Sequence, residues 1–386
     1  MRILLLLTFF ALPAYSQWWS VQTSGVDSNL RGVSVKYDQE SEGGQHYIVW
    51  ASGSNGVILR SINDGKSWKQ LSVPGGGALD FRDIEAFDAN TAYVMASGEG
   101  ERSRIYKTGD GGKTWKLQYT DRRPEFFLDA LACESATHCY ALSDPVQGKF
   151  LVLATEDGEH WRELPRDRMP AALSKEGAFA ASGSAMTLCE DGSIYFGTGV
   201  GGARIFRSHD RGLSWQAADT PMAAGPSSGI FSVACEGRGG ALVAVGGDYQ
   251  QPGRATATAI YSKDEGQTWS LAEQLPGGYR SAAGSFSYGD FAAVGPNGTD
   301  ISHDEGVHWK HTDMLNLNAA SFEGTQGWAV GAKGTIARFK THFEYLIRNG
   351  PREKPGWGGA SSCTRPGRRI SAHRIVTRQN LNNAAD

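Results

Sequence analysis

Short runs rich in apolar, β-branched and aromatic residues alternate with polar octets that each end in tryptophan, and the octets repeat. One motif occurs six times: Ser61-Ile62-Asn63-Asp64-Gly65-Lys66-Ser67-Trp68, then Thr108 to Trp115, Ala154 to Trp161, Ser208 to Trp215, Ser262 to Trp269 and Ser302 to Trp309. Each copy follows a short β run, such as Gly56-Val57-Ile58-Leu59-Arg60 or Arg204-Ile205-Phe206-Arg207. Each precedes another, such as Trp68-Lys69-Gln70-Leu71. This predicts a hairpin turn at every copy. The glycine supplies positive φ, the Asp or Asn accepts backbone N–H groups, and the Trp packs between neighbouring sheets. Trp-to-Trp spacings of 47, 46, 54, 54 and 40 residues suit one four-stranded propeller blade per copy.

A seventh unit lacks the octet. Leu317 to Phe322, Gly327 to Gly331 and Thr335 to Phe339 repeat the first three strands of a blade, with no fourth strand after them. Trp18-Trp19-Ser20-Val21-Gln22-Thr23 matches the strand that follows each octet and has no blade of its own. Pairing it with the seventh blade closes the ring and removes exposed edges. The expectation is an all-β chain: one seven-bladed β-propeller over 17–345, closed by its N-terminal strand.

The octets resemble the Asp-box, or bacterial neuraminidase, repeat, Ser/Thr-x-Asp-x-Gly-x-Thr-Trp. Propellers with such boxes include sialidases, endo-glucanases, sortilin-type receptors and the photosystem II stability/assembly factor-like family. The chain most resembles the last group, which is seven-bladed, exported and non-enzymatic. That resemblance implies a binding or scaffold propeller that recognises a protein segment or an anionic, carboxylate-bearing ligand at the channel mouth. Sialidases of this class carry Phe/Tyr-Arg-Ile-Pro before their first box, whereas Phe81-Arg82-Asp83-Ile84 stands after the first box here and has no proline. A sialidase-like or endo-glucanase-like glycoside hydrolase is the alternative. It needs two carboxylates about 5 to 9 Å apart across a cleft.

Composition agrees with turn-rich β structure: 50 of 386 residues are glycine, against a usual share of about 7%. Forty per cent hydrophobic residues are enough for a large core and exclude a disordered chain. A formal charge of −3 gives no basic field for nucleic acid. That charge is unevenly placed, because 346–386 carries eight basic residues against Glu353 and Asp386 and has no apolar period. The segment reads as a basic disordered tail; a polybasic arm and a read-through product are the other readings. Met1-Arg2, the apolar Ile3 to Leu12 and Ala14-Tyr15-Ser16 read as a signal peptide over 1–16, hence an extracytoplasmic protein. No apolar run reaches the roughly 20 residues of a membrane span, and a monomer is expected.

Five cysteines in an exported chain invite disulfides. Cys133 and Cys139 flank a strand-to-strand connection and are expected to pair. Cys189 and Cys235 occupy matching places in consecutive blades and are either bridged or simply buried. Cys363 is left over in the tail. With no Cys-x-x-Cys pair, no His-rich cluster and no nucleotide loop opening a helix, no metal or cofactor is expected.

Ligands of propellers gather where the channel opens, on the face away from the octets. Aligning the inner-strand starts places Arg31, Arg82 and Arg280 at one equivalent position. Three guanidiniums there would hold an anion through bidentate bonds. Alternatively, each pairs locally with Asp83, Asp129 or a carbonyl. Asp144, Asp248, Tyr249 and Glu176 fall on the same predicted face, in glycine-rich loops. The candidate ligand-binding set is therefore Arg31, Arg82, Asp83, Asp129, Asp144, Asp248, Tyr249 and Arg280, with no catalytic residue assigned. Glu176 and the four aspartates are the carboxylates a hydrolase would draw on.

Overall fold

The computed structural model describes residues 18–38, 46–237 and 240–340. The segments read as signal peptide (1–16) and basic tail (346–386), with Cys363, lie outside them. Seven antiparallel sheets form the blades, which follow one another in chain order, and the short strands Glu176–Gly177 and Gly199–Val200, beside the blade 4 strands in sequence, extend the blade 5 sheet to six. Blade 1 consists, from the channel outward, of Leu30–Asp38, His46–Gly53, Ile58–Ser61 and Lys69–Leu71. Blades 2 to 6 repeat this order, with inner strands Phe81–Ala86, Leu128–Cys133, Met186–Leu188, Ser228–Cys235 and Ala282–Ser287. Blade 7 takes three strands from the C-terminal end, Leu317–Glu323, Gln326–Gly331 and Ile336–Phe339. Its fourth is Trp19–Gln22, paired from Trp19↔Phe339 to Gln22↔Ile336. Among the described residues no helix is long and apolar enough to cross a membrane.

A blade buries both faces, so the core is a ring of layers between blades. The seven buried apolar clusters coincide with the seven blade-to-blade interfaces. Trp50 and Ile58 of blade 1, for example, meet Ile84 and Val94 of blade 2. Trp19 of the closing strand is fully buried with Phe339 and Ala292, and its indole donates to Thr299 Oγ1 of blade 6 at 2.9 Å. That contact ties the closing strand to blade 6 through side chains, beside its backbone pairing with Ile336–Phe339.

Each octet is a hairpin turn held by its own side chains. In the fifth, Gly266 N donates to Ser262 Oγ at 3.0 Å, and Thr268 N and Oγ1 donate to the Asp264 carboxylate at 2.9 and 2.6 Å. Gly266 has φ +72°, which a Cβ would disfavour. The third copy is one residue shorter than aligned above. Thr155, not Ala154, supplies the hydroxyl, accepting from Gly158 N at 2.9 Å.

Inner strands present one edge to the channel, where backbone N–H groups need acceptors. Neighbouring blades supply them. Val35 N donates to Ser321 Oγ, Ala86 N to Ser34 Oγ, Leu131 N to Asp83 Oδ2 and Ala283 N to Ser232 Oγ. Disulfides join Cys133 to Cys139 within blade 3 and Cys189 to Cys235 between blades 4 and 5.

Candidate functional site

The channel mouth is shaped by a β-bulge near the start of the inner strand. In blades 1, 2, 3, 5 and 7 the pairing skips one residue: Arg31, Arg82, Asp129, Phe231 and Asn318 respectively. A bulge leaves its extra residue out of the ladder and re-aims the side chain. Arg31, Arg82, Phe231 and Asn318 accordingly line a mouth cavity of about 410 Å³, together with Phe179, Tyr249, Tyr279 and Ser281.

Arg280 does not belong to this set. Its place in blade 6 is that of Leu30, Ile230 and Leu317, the buried residues just before the bulge. A Cβ built on the facing glycine, Gly53, Gly246, Gly331 or Gly295, approaches the Cα of Leu30, Ile230, Leu317 or Arg280 respectively. The bulge counterpart in blade 6 is Ser281, so the sequence alignment placed Arg280 one residue out of register. Its fully buried guanidinium donates through Nε to Asp300 Oδ2 at 2.6 Å and through Nη1 to Tyr279 O at 2.8 Å and Asn297 Oδ1. Nη2 also contacts Asp300. This is a buried ion pair of the blade wall.

The remaining arginines differ from each other. Arg82 donates through Nε to Asp80 Oδ2 at 2.8 Å and through Nη1 to Ala180 O at 2.9 Å. Arg31 has no hydrogen-bond partner among the described residues, and its Nε is buried. Burial, then the Arg82 charge, lowers its pKa from the usual guanidinium value, yet an arginine stays cationic. Aromatic rings wall the cation in. Phe179 stacks on Phe231 at 3.8 Å, Phe231 meets Tyr279 edge-on at 4.7 Å, and the half-exposed Tyr249 borders Phe231.

A segment from blade 4 crosses the channel beneath this cavity. Ala180 O reaches Arg82 of blade 2, while Ser182 Oγ donates to Ser281 O of blade 6 at 2.8 Å. Gly183, at φ +80°, lies so close to Asp83 that a Cβ there would overlap the carboxyl. Gly177 to Gly183 thus form a strap. It separates the mouth from a second cavity of about 250 Å³, lined by Asp83, Glu85, Ser184 and Ser285, nearer the octet face.

The strap changes the placement of four predicted carboxylates. Asp83 lies below it, in the channel wall, accepting from Ile84 N and Leu131 N rather than facing the mouth. Asp129 is fully buried, with both carboxyl oxygens unpartnered, and burial and Asp144 raise its pKa well above the usual carboxylate value. Asp144 accepts from Ala178 N of the strap at 2.9 Å, and burial pushes it up to about 6. Glu176 anchors the strap's root. Its side chain is fully buried, paired with Arg204 and bonded by Thr198 Oγ1 at 2.7 Å. Asp248 caps its own loop, accepting from Ser227 Oγ and Gln250 N, and so positions Tyr249 at the rim.

Of the predicted binding residues, the structure brings Arg31, Arg82 and Tyr249 together. Sequence reasoning missed Phe179, Phe231 and Tyr279. Phe231 was legible in principle, because counting back from the Gly246 that faces Ile230 marks Phe231 as the blade 5 bulge. Among the described residues no group of three or more His, Cys, Asp or Glu side chains is placed to hold a metal ion.

The family model of the photosynthesis system II assembly factor YCF48 matches residues 16–278. A curated relative, the photosystem II assembly lipoprotein Ycf48 of Synechococcus sp. (strain CC9902), is 29% identical over 99 residues. The match takes in 25% of this chain and 25% of the relative, so the chain spans about a quarter of that relative's length. Among solved structures, YCF48 bound to D1 peptide superposes with a TM-score of 0.61 at 14% identity, covering 86% of this chain and 99% of that one. YCF48 from Cyanidioschyzon merolae gives 0.57 at 16% identity, covering 83% and 98%. Virginiamycin B lyase from Staphylococcus aureus gives 0.58 at 14%, also covering 83% and 98%. At these identities the likeness is one of fold, shared by a binder and a lyase.

Proposed function

The chain belongs to the photosystem II assembly factor YCF48 family, and from that premise we propose that it is a non-catalytic binding propeller whose channel mouth takes a segment of a partner protein. One solved relative carries a D1 peptide; the class of partner carried over to this chain is a protein segment, and the anionic group on it is our reading of Arg31. Arg31 carries the reading. A guanidinium with a buried, unpartnered Nε is costly to keep, and a carboxylate entering the mouth supplies the acceptor it lacks. Arg82 lies beside it, already holding Asp80 and the strap. The rings of Phe179, Phe231, Tyr249 and Tyr279 offer apolar area for the residue next to that carboxylate.

The hydrolase alternative is not favoured by the site. Asp129 is buried, Asp83 and Glu176 are spent on backbone and arginine partners, and Asp248 caps a turn. No two of these carboxylates flank the mouth cavity. An extracytoplasmic location is part of the same proposal, supported by the signal-like pattern at Met1 to Ser16 and by the relative's designation as a lipoprotein.

The test is calorimetric titration of the full chain with peptides ending in an aromatic or aliphatic residue, as free acids and as C-terminal amides. A charged hydrogen bond is worth about 1.5 to 3 kcal/mol, so the amide should bind roughly tenfold to a hundredfold more weakly. Arg31→Leu should abolish the difference. Equal affinity for acid and amide would remove the role given to Arg31. Turnover of a sialoside or β-glucan would restore the hydrolase reading.

A further inference from the structure

The two arginines of the mouth look alike in sequence and are built differently. Arg31 bonds nothing among the described residues, its Nε buried and unpartnered. Arg82 is a clamp: Nε donates to Asp80 Oδ2 at 2.8 Å on its own blade, and Nη1 donates to Ala180 O at 2.9 Å on the strap. Both bonds leave from one rigid, planar guanidinium, so the strap is fixed relative to blade 2.

Beside Ala180 on the strap is Phe179. Gly177 is still paired with Gly199 in the sheet, Ala178 N donates to Asp144 Oδ1 of blade 3 at 2.9 Å, and Arg82 holds Ala180 O from blade 2. Phe179 is therefore fastened one residue away on either side. Its own carbonyl accepts from Ala181 N, within the strap. The ring has a prepared seat. It stacks on Phe231 with centroids 3.8 Å apart and planes 8° from parallel. Its edge lies over Gly199 and Gly229, where a Cβ would come 2.2 and 3.0 Å from ring carbon Cε2, so a side chain at Gly199 would push the ring off its seat. Phe231 is buried in its blade, whereas the partly exposed Phe179 depends on the strap for its place in the mouth wall.

We propose that Phe179 is the specificity-determining residue of the mouth, selecting a ligand that carries a ring beside its anionic group, and that Arg82 is the positioning residue that sets Phe179 by holding Ala180 O. The proposal rests on the binding reading above and deepens it: Arg31 reads the charge, and Phe179 reads the neighbouring side chain. Arg82 adds charge to the cationic side of the mouth, but its bonds serve the strap. A ring entering the mouth gains apolar contact and ring-to-ring attraction from an aromatic wall, and an alanine gains little of either. The wall must be in place beforehand, because a ring that is ordered only on binding costs part of that gain. Lysine in place of Arg82 keeps the charge, yet its single ammonium on a flexible stem does not reproduce the two bonds from Nε and Nη1.

The experiment titrates the full chain with four peptides that differ only in the last residue, Phe or Ala, and in its end, free acid or amide. The wild type should prefer Phe to Ala by about tenfold or more, and the acid to the amide. In Arg82→Lys and in Phe179→Ala the preference for Phe should fall to about threefold or less, with the acid-to-amide ratio kept. Arg31→Leu should do the reverse, losing the acid preference and keeping that for Phe. Hydrogen exchange of the Ala178 and Ala181 amides, referred to Ala283 of blade 6, reads the strap without ligand. It should quicken by about tenfold or more in Arg82→Lys and stay unchanged in Arg31→Leu. An Arg82→Lys variant that loses the acid preference but keeps that for Phe, or whose strap exchanges as in the wild type, would overturn the positioning role. Phe179→Ala with its preference for Phe intact would overturn the selection, whether or not Arg82→Lys folds. A wild type that binds but does not tell Phe from Ala sinks the selection alone. A wild type that binds none of the four peptides, while the strap still loosens in Arg82→Lys, sinks the binding reading and the selection with it.

Discussion

Arg280→Leu and Arg31→Leu are formally the same change and should have opposite effects. Arg280 is fully buried against Asp300, whose carboxylate is 1% exposed. Removing the guanidinium leaves that carboxylate with Gly277 N at 3.1 Å and a marginal contact to His311, and strips Asn297 Oδ1 of its donor. Breaking a buried pair from one side costs about 3 to 5 kcal/mol. Arg31 bonds nothing among the described residues, so its replacement removes a buried unsatisfied donor. Lifting that penalty should leave stability unchanged or raise it by about 1 kcal/mol. Guanidinium unfolding followed by tryptophan fluorescence measures both, and the peptide titration measures what each does to binding. The expected result is a large stability loss with affinity retained for Arg280→Leu where the protein is still folded, and the reverse for Arg31→Leu. Asp300→Leu added to Arg280→Leu should recover much of the loss, because replacing both ends of a buried pair is far milder than removing one. If Arg280→Leu is within about 1 kcal/mol of wild type and loses peptide affinity, the bulge register assigned to blade 6 is wrong.

Trp19→Ala should cost about 3 to 5 kcal/mol, since it empties the closing layer and removes the bond to Thr299, with protection lost first in blades 6 and 7 by hydrogen exchange; a loss spread evenly over all blades would contradict the closing role. The disulfide joining Cys189 and Cys235 spans 46 residues, for which chain entropy gives about 4 kcal/mol, against about 2 for the local bridge at Cys133 and Cys139. Cys189→Ser/Cys235→Ser should therefore lower the denaturation midpoint more than Cys133→Ser/Cys139→Ser, and the opposite order would refute the estimate. Asp110 and Asp264 are held down to about 2, chiefly by the hydroxyls and amides of Thr114 and Thr268. Because the folded value is depressed, their contribution to stability is complete above an ordinary value near 4 and is lost as pH falls through about 2. Carboxyl NMR titration should show this, with Thr114→Val moving Asp110 back up; an Asp110 midpoint near 4 in the wild type would count against the turn geometry.

Six octets made the blades legible, because each octet is a self-contained turn whose hydrogen bonds lie within a few residues. Closure by Trp19–Gln22 was legible for a related reason: the seventh unit lacks one strand and the N-terminus supplies one in excess. The mouth was harder. A bulge is defined by the partner strand, so Arg280 read in isolation looks like Arg31, and only the facing glycine, Gly295 against Gly53, shows it to be the counterpart of Leu30. The strap left no periodic signal. Its residues make contact with blades 2 and 6, and such long-range packing has no local sequence pattern.

In six of the seven blades a single residue at the inner-strand bulge is free to shape the mouth, and this follows from how a propeller is built. The boxes and the inter-blade layers fix the ring, and a substitution there is felt as lost stability. The bulge position is outside the ladder and outside the layers, so its side chain is free to differ from blade to blade: Arg31, Arg82, Asp129, Phe231, Ser281 and Asn318 occupy it here. Arginines on blades 1 and 2 face an aromatic on blade 5, and that juxtaposition favours an anionic group carried beside an apolar one. Asp129 is the exception. It is fully buried and lines no part of the mouth cavity, where an acid would compete with the ligand for Arg82. The burial of Asp129 keeps the cationic side of the mouth available to an anionic group.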